Sequence, residues 1–235
     1  MTNTVLLVYL FLIAGILGLG YHALIVENYP AVINAIITTV VVIFPLLINT
    51  VFQLSSIGSF RFGTILPIWL ALAGILHMIG MIGWYDYLWW WDHLTHTVSA
   101  GLLAALLYAA LITINTTNPT IQLSQFYVGV LCILLILGGG IFWEFLELIS
   151  RDIGLRTGYP PVLQFYGLRD TMLDIMFNFV GASLIILLDI QIFVPVTDQF
   201  PTLVESAVKL YIVVIVAGSI LLGILLEYFN PEKNS

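Results

Sequence analysis

Charge is what this sequence has least of. Asp, Glu, Lys and Arg make up 8% of its 235 residues, while 61% are hydrophobic and the mean hydropathy is +1.10. Soluble domains carry about 25% charged residues, so a soluble globular fold is excluded. Cations are scarcest: six Lys and Arg face 13 Asp and Glu, for a net charge of -7. That balance argues against a nucleic-acid partner and leaves no basic amphipathic face for anionic lipid. A single cysteine, Cys132, rules out a disulfide framework and a thiolate metal cluster. No basic stretch or small-residue cleavage site accompanies the first apolar run. That run is long enough to span and reads as a retained helix.

What is abundant is hydrocarbon, in runs of membrane length. About 20 apolar residues cross a bilayer core of roughly 30 Å. On that measure the sequence predicts an all-α bundle of about seven transmembrane helices, six at the least. They lie near residues 5–26, 31–52, 64–83, 92–114, 126–150, 170–188 (or to 194) and 206–229. Pro45 falls inside the second, and Pro67 in the first turn of the third, where its missing N–H costs nothing. The longest connection is expected at 151–169, too short for a soluble domain. No internal repeat suggests an inverted-repeat transporter. The whole chain, 1–235, reads as one transmembrane domain whose residues 65–185 carry its polar motifs.

Seven spans place connections 26–31, 84–91 and 151–169 on one side together with the C-terminal tail. Arg151, Arg156, Arg169 and Lys233 fall there, against Arg61 and Lys209 on the other. The positive-inside rule then predicts that side to be cytoplasmic, in a multi-pass cell (inner) membrane protein. The sequon Asn115-Thr116-Thr117 falls on the opposite side, as an extracytoplasmic loop would require. Residues 84–91 hold four of the six Trp, which read as an interfacial belt ahead of a stacking site for substrate. Gly138-Gly139-Gly140 in the fifth span predicts close helix packing.

The few ionisable groups are not scattered. Asp92, His93 and His96 open a segment with no charge from Val98 to Ile114. Glu144 and Glu147 lie near the end of the fifth span, and Asp170, Asp174 and Asn178 open the sixth. His77 lies about 10 Å inside the end of the third, and His22 near the end of the first. All four His and five acidic residues are thus expected near one membrane face. Asp92 and His96 are i,i+4, Glu144 and Glu147 are i,i+3, and Asp170, Asp174 and Asn178 are i,i+4,i+8. Ionisable stripes on apolar spans should face one another and away from lipid.

Carboxylates and imidazoles projecting from facing helices are how bundles build metal sites. Oxygen and nitrogen donors suit zinc, manganese or iron. Asp92, His96, Glu144 and Asp174 are the expected ligands, with Glu147 as general base and Arg169 as anion clamp. His77, Asp170 and Asn178 would support them. His93, one residue off the stripe, is left outside the ligand set, and Asp189, Glu205 and Glu227 read as ordinary interfacial charges. A hydroxide formed on such a metal can attack a phosphoester, so a hydrolase or transferase acting on membrane lipid or a lipid-linked substrate is one reading. Three others use the same residues. A metal-free ion-pair network with Arg151, Arg156 and Arg169 needs no catalysis. A proton- or ion-coupled carrier would use the carboxylates as relays, and an accessory membrane subunit would use them only structurally.

The order Asp-x-x-x-His, Glu-x-x-Glu and Asp-x-x-x-Asp followed by Asn and Gly resembles the YjdF-like family of bacterial and archaeal inner-membrane proteins. It is more distantly similar to the VanZ-like superfamily. The matching positions are Asp92, His96, Glu144, Glu147, Arg169, Asp174, Asn178 and Gly181. His93 stands where VanZ-like proteins have Lys and Glu147 where they have Gln, which favours the YjdF-like branch. The resemblance implies a helical membrane architecture with these residues in common, and no particular reaction.

Overall fold

The computed structural model describes residues 3–55 and 62–228, and every regular element among them is helical. The long helices are α1 (Asn3–Ile25), α2 (Tyr29–Ser55), α3 (Ile65–Ile79), α4 (Trp91–Thr117), α5 (Gln125–Thr157), α6 (Leu168–Leu187) and α7 (Pro201–Tyr228). With α3 extended to Tyr87, seven stretches are long and apolar enough to cross a membrane, as the sequence predicts. Pro45 is accommodated inside α2, and Pro67 is buried in the first turn of α3.

Three boundaries differ from expectation. The connection expected at 151–169 shrinks to 158–167, because α5 continues through Arg151, Asp152 and Arg156 to Thr157. Nothing in that polar stretch breaks a helix until Gly158, Tyr159 and two prolines stop it. Helix α7 starts at Pro201, five residues early, with Pro in the first helical position. The third span does not end at Gly83 but runs through a π turn, Gly80–Trp84, into one more turn, Tyr85–Tyr87. Arg61 and Lys233, used above to count charges by side, lie outside the described residues.

The chain forms two compact units, residues 1–102 and 103–235, divided inside α4. In the first, α1, α2 and α3 pack on one another around Leu12, Ile16, Ala35, Val42, Ala71 and Met78. Polar side chains tie its ends. The Tyr9 hydroxyl donates to the Thr64 carbonyl (2.6 Å), and Trp91 Nε1 donates to the Leu76 carbonyl (3.0 Å). The last fixes the mouth of α4 against α3. Of the tryptophans at 84–91, Trp91 is therefore buried, while Trp84, Trp89 and Trp90 are exposed.

In the second unit α5 packs against α6 and α7. The glycine run does the close packing expected of it. A methyl at Gly138 would meet Ile215, one at Gly139 the Tyr211 hydroxyl, and one at Gly140 the Asn178 amide. Tyr211 donates to the Leu135 carbonyl (3.0 Å) and Cys132 Sγ lies 3.5 Å from the Ala104 carbonyl. Asn115 of the sequon lies within α4, and its amide pairs both ways with the Leu123 backbone (3.0 and 2.8 Å).

Two charges read as ordinary from sequence have definite partners. Glu205 pairs with Lys209 at 2.6 Å. Asp189, at a left-handed φ of 49°, accepts hydrogen bonds from Tyr108 Oη (2.8 Å), Gln125 Nε2 (2.9 Å) and Gln191 Nε2 (2.8 Å). It thereby ties the turn after α6 to α4 and α5. Beside it Thr113 donates to Asp198 and shares a 2.8 Å hydrogen bond with Thr197. The Gln191 and Tyr108 hydrogen bonds hold the Asp189 carboxyl below its ordinary value. A depressed carboxylate contributes stability above its unfolded pKa and loses it as pH falls through the lower folded value. Asn tolerates the same backbone conformation, so Asp189→Asn isolates the charge. Its melting midpoint should lie below wild type at pH 7. The gap should narrow as pH falls below the ordinary carboxylate value of about 4 and on through the lower folded value. A gap that does not narrow on acidification would show that the charge is not what matters.

Candidate functional site

In the first unit, the Asp92–His96 spacing does what i,i+4 predicts. Their side chains lie on one stripe of α4 with His96 Nε2 3.7 Å from Asp92 Oδ1, both partly buried. Thr95, between them, is buried, donates to the Asp92 carbonyl (2.7 Å) and lies 3.4 Å from Asp92 Oδ1. His93, left out of the ligand set, is buried too, edge-on to Trp89 at 5.9 Å between centroids. His77 reaches this region through Tyr85. The His77 Nδ1 is hydrogen-bonded to the Tyr85 hydroxyl, which lies 3.4 Å from Thr95 Oγ1. Neither Tyr85 nor Thr95 stands out in the sequence. His22 is exposed and takes no part.

In the second unit the buried face of α6 is Asp174, Asn178, Gly181, Ala182 and Ile185, the stripe expected from i,i+4 spacing. Asp170, one turn earlier, is only partly buried. On α5, Glu144 is buried and Glu147 partly so, its Oε1 accepting from Trp143 Nε1 at 2.8 Å. The two helices are in register. A Cβ on Gly140 would stand 2.7 Å from Asn178 Nδ2. The helices run antiparallel, as consecutive spans must. One turn onward along α5 is Glu144, and one turn back along α6 is Asp174. Two buried carboxylates, at 4% and 2% exposure, therefore lie at one level of facing helices.

Arg151 directs both Nε and Nη2 to Asp152 (3.0 and 2.8 Å), and its guanidinium lies over the Phe165 ring at 4.9 Å. Arg169 is exposed in the first turn of α6.

A family model described as predicted membrane protein (DUF2238) matches residues 4–193, well over half of the chain. The chain belongs to that family. No curated protein and no solved structure matches it. The DUF2238 match takes in every residue singled out above, from His77 to Asn178, and stops short of α7. The matched region thus spans both polar stripes and the whole of α5 and α6.

Proposed function

We propose that this DUF2238 protein holds a divalent cation with Asp92, His96, Glu144 and Asp174, and acts as a hydrolase or transferase on a lipid or lipid-linked phosphate. The observation that carries the reading is the burial of Glu144 and Asp174 at one level of α5 and α6. Two carboxylates in so apolar a setting repel strongly unless positive charge lies with them. A divalent cation held with them would supply that charge. The donor chemistry fits: three carboxylates and one imidazole are oxygen and nitrogen donors. Oxygen and imidazole donors suit zinc, manganese or iron.

A bound cation would polarise a phosphoryl oxygen and lower the pKa of a water. Glu147, one turn beyond Glu144, is the group to take that water's proton. Arg169, exposed in the first turn of α6, is the group to hold the phosphate, aided by the helix terminus. His77, Asp170 and Asn178 support the ligands. Four of the six basic residues fall on the side of this site by the span count, which favours a cytoplasmic site in the cell membrane. The order of the motifs supports kinship between this family and the YjdF-like proteins, with the VanZ-like superfamily further off.

Elemental analysis of the purified protein is expected to find about one zinc, manganese or iron per chain, lost in His96→Ala. Turnover of a radiolabelled lipid phosphate should be lost with it. No stoichiometric metal in the wild-type protein would overturn the reading. Metal without lipid turnover, together with proteoliposome ion flux that Glu144→Gln abolishes, would make the protein a carrier.

A further inference from the structure

The π turn in the third span is not a random irregularity. At about 100° per residue, eight residues of α-helix would leave Tyr85 about 80° away from the face that carries His77. A π turn absorbs one extra residue, which brings the pair to within about 20° of a shared face. The turn is built to persist. Gly83 takes φ 132°, a value closed to residues with a side chain, and the Tyr85 ring lies against Gly80. From α2, Asn28 Nδ2 donates to the Met81 carbonyl inside the turn (2.9 Å), and Asn34 Nδ2 lies 3.1 Å from Met81 Sδ. The product of this construction is one placement: the Tyr85 hydroxyl between His77 Nδ1 and Thr95 Oγ1.

We propose that Tyr85 is a positioning residue for the α4 end of the cation site, acting through the juxtaposition His77–Tyr85–Thr95–Asp92. The proposal rests on the cation reading above. Tyr85 holds the Thr95 hydroxyl, whose own contacts are the Asp92 carbonyl and the Asp92 carboxylate. Asp92 in turn lies against His96. His77 fixes the far side of the tyrosine, with ring centroids 5.7 Å apart. Outer partners of this kind orient metal ligands, and their loss weakens binding by about 10- to 100-fold.

The test is Zn²⁺ affinity of the full chain in detergent, by competition with a chromogenic chelator, with the visible spectrum of the Co²⁺-loaded protein recorded alongside. Tyr85→Phe keeps the ring on Gly80 and removes only the hydroxyl. It is expected to bind Zn²⁺ on the order of tenfold more weakly or worse, and to shift the Co²⁺ bands. Its melting midpoint in EDTA should stay near wild type. Tyr87→Phe, at an 84% exposed position, should change neither readout. Should Tyr85→Phe fail to fold, Thr95→Val breaks the same chain and carries the same expectation. Unchanged affinity and spectrum in the tyrosine variant, or an equal loss in Tyr87→Phe, overturns this proposal alone. A wild-type protein that takes up no Zn²⁺ overturns the cation reading and this proposal with it.

Discussion

Gly140→Leu is expected to pry α5 from α6 at the level of the buried carboxylates. The Cβ alone would stand 2.7 Å from the Asn178 amide, and Asn178 is only 7% exposed, so a leucine has no free volume to enter. Overpacking of this size costs about 1–3 kcal/mol, and this seam should lie at the upper end. Gly140→Ala is the informative companion. Its Cβ meets only the end of a movable side chain, while replacing glycine within a helix returns about 1 kcal/mol of propensity. Alanine should therefore fall within about 1 kcal/mol of wild type, and leucine about 3 below. Gly223→Leu supplies the control, since a Cβ there meets nothing within 4 Å. Unfolding in a denaturing detergent series checks all three, and a leucine tolerated as well as the alanine would sink the close-packed seam. Because Asn178 and Asp174 share a face of α6, the leucine variant should also lose metal binding, whereas the alanine variant should keep it.

The seam was legible in part. A Gly-Gly-Gly run on an apolar span predicts close approach, and i,i+4 spacing predicts the buried stripe Asp174–Asn178, because both rest on helix periodicity alone. The seven spans were legible for the same reason: length and hydropathy decide which segments cross a bilayer. What periodicity could not give was register between helices. That Gly140 meets Asn178, and that Glu144 is thereby aligned with Asp174, depends on which residues pack across α5 and α6. The π turn was hidden for a related reason. Eight residues separate His77 from Tyr85, a spacing that regular helix places on different faces, so the tyrosine gave no signal. The partners of Asp189 were hidden too, because Tyr108, Gln125 and Gln191 come together only in the folded turn.

Glu144→Gln should separate the cation reading from a buried ion-pair network, because the two assign opposite signs to the same measurement. If Glu144 and Asp174 are two like charges that await a cation, then neutralising one relieves repulsion in the metal-free state. The EDTA-treated variant should melt above wild type. Asp174→Asn should do the same, and the double variant should gain less than the sum, since either change alone removes the repulsion. With metal the order reverses. A ligand at about 100 times its Kd stabilises the folded state by about 2.7 kcal/mol, so wild type should gain that amount with Zn²⁺ while Glu144→Gln gains none. If Glu144 instead serves as counter-ion to a buried positive group, removing its charge leaves that group uncompensated. The cost would then be about 3–5 kcal/mol without metal, and added Zn²⁺ would change neither protein. Thermal melts of wild type and the three variants, each with EDTA and with Zn²⁺, distinguish these outcomes by sign. The decision therefore needs no knowledge of the substrate, because it turns on whether a negative charge buried at the α5–α6 seam stabilises the fold or only its loaded form.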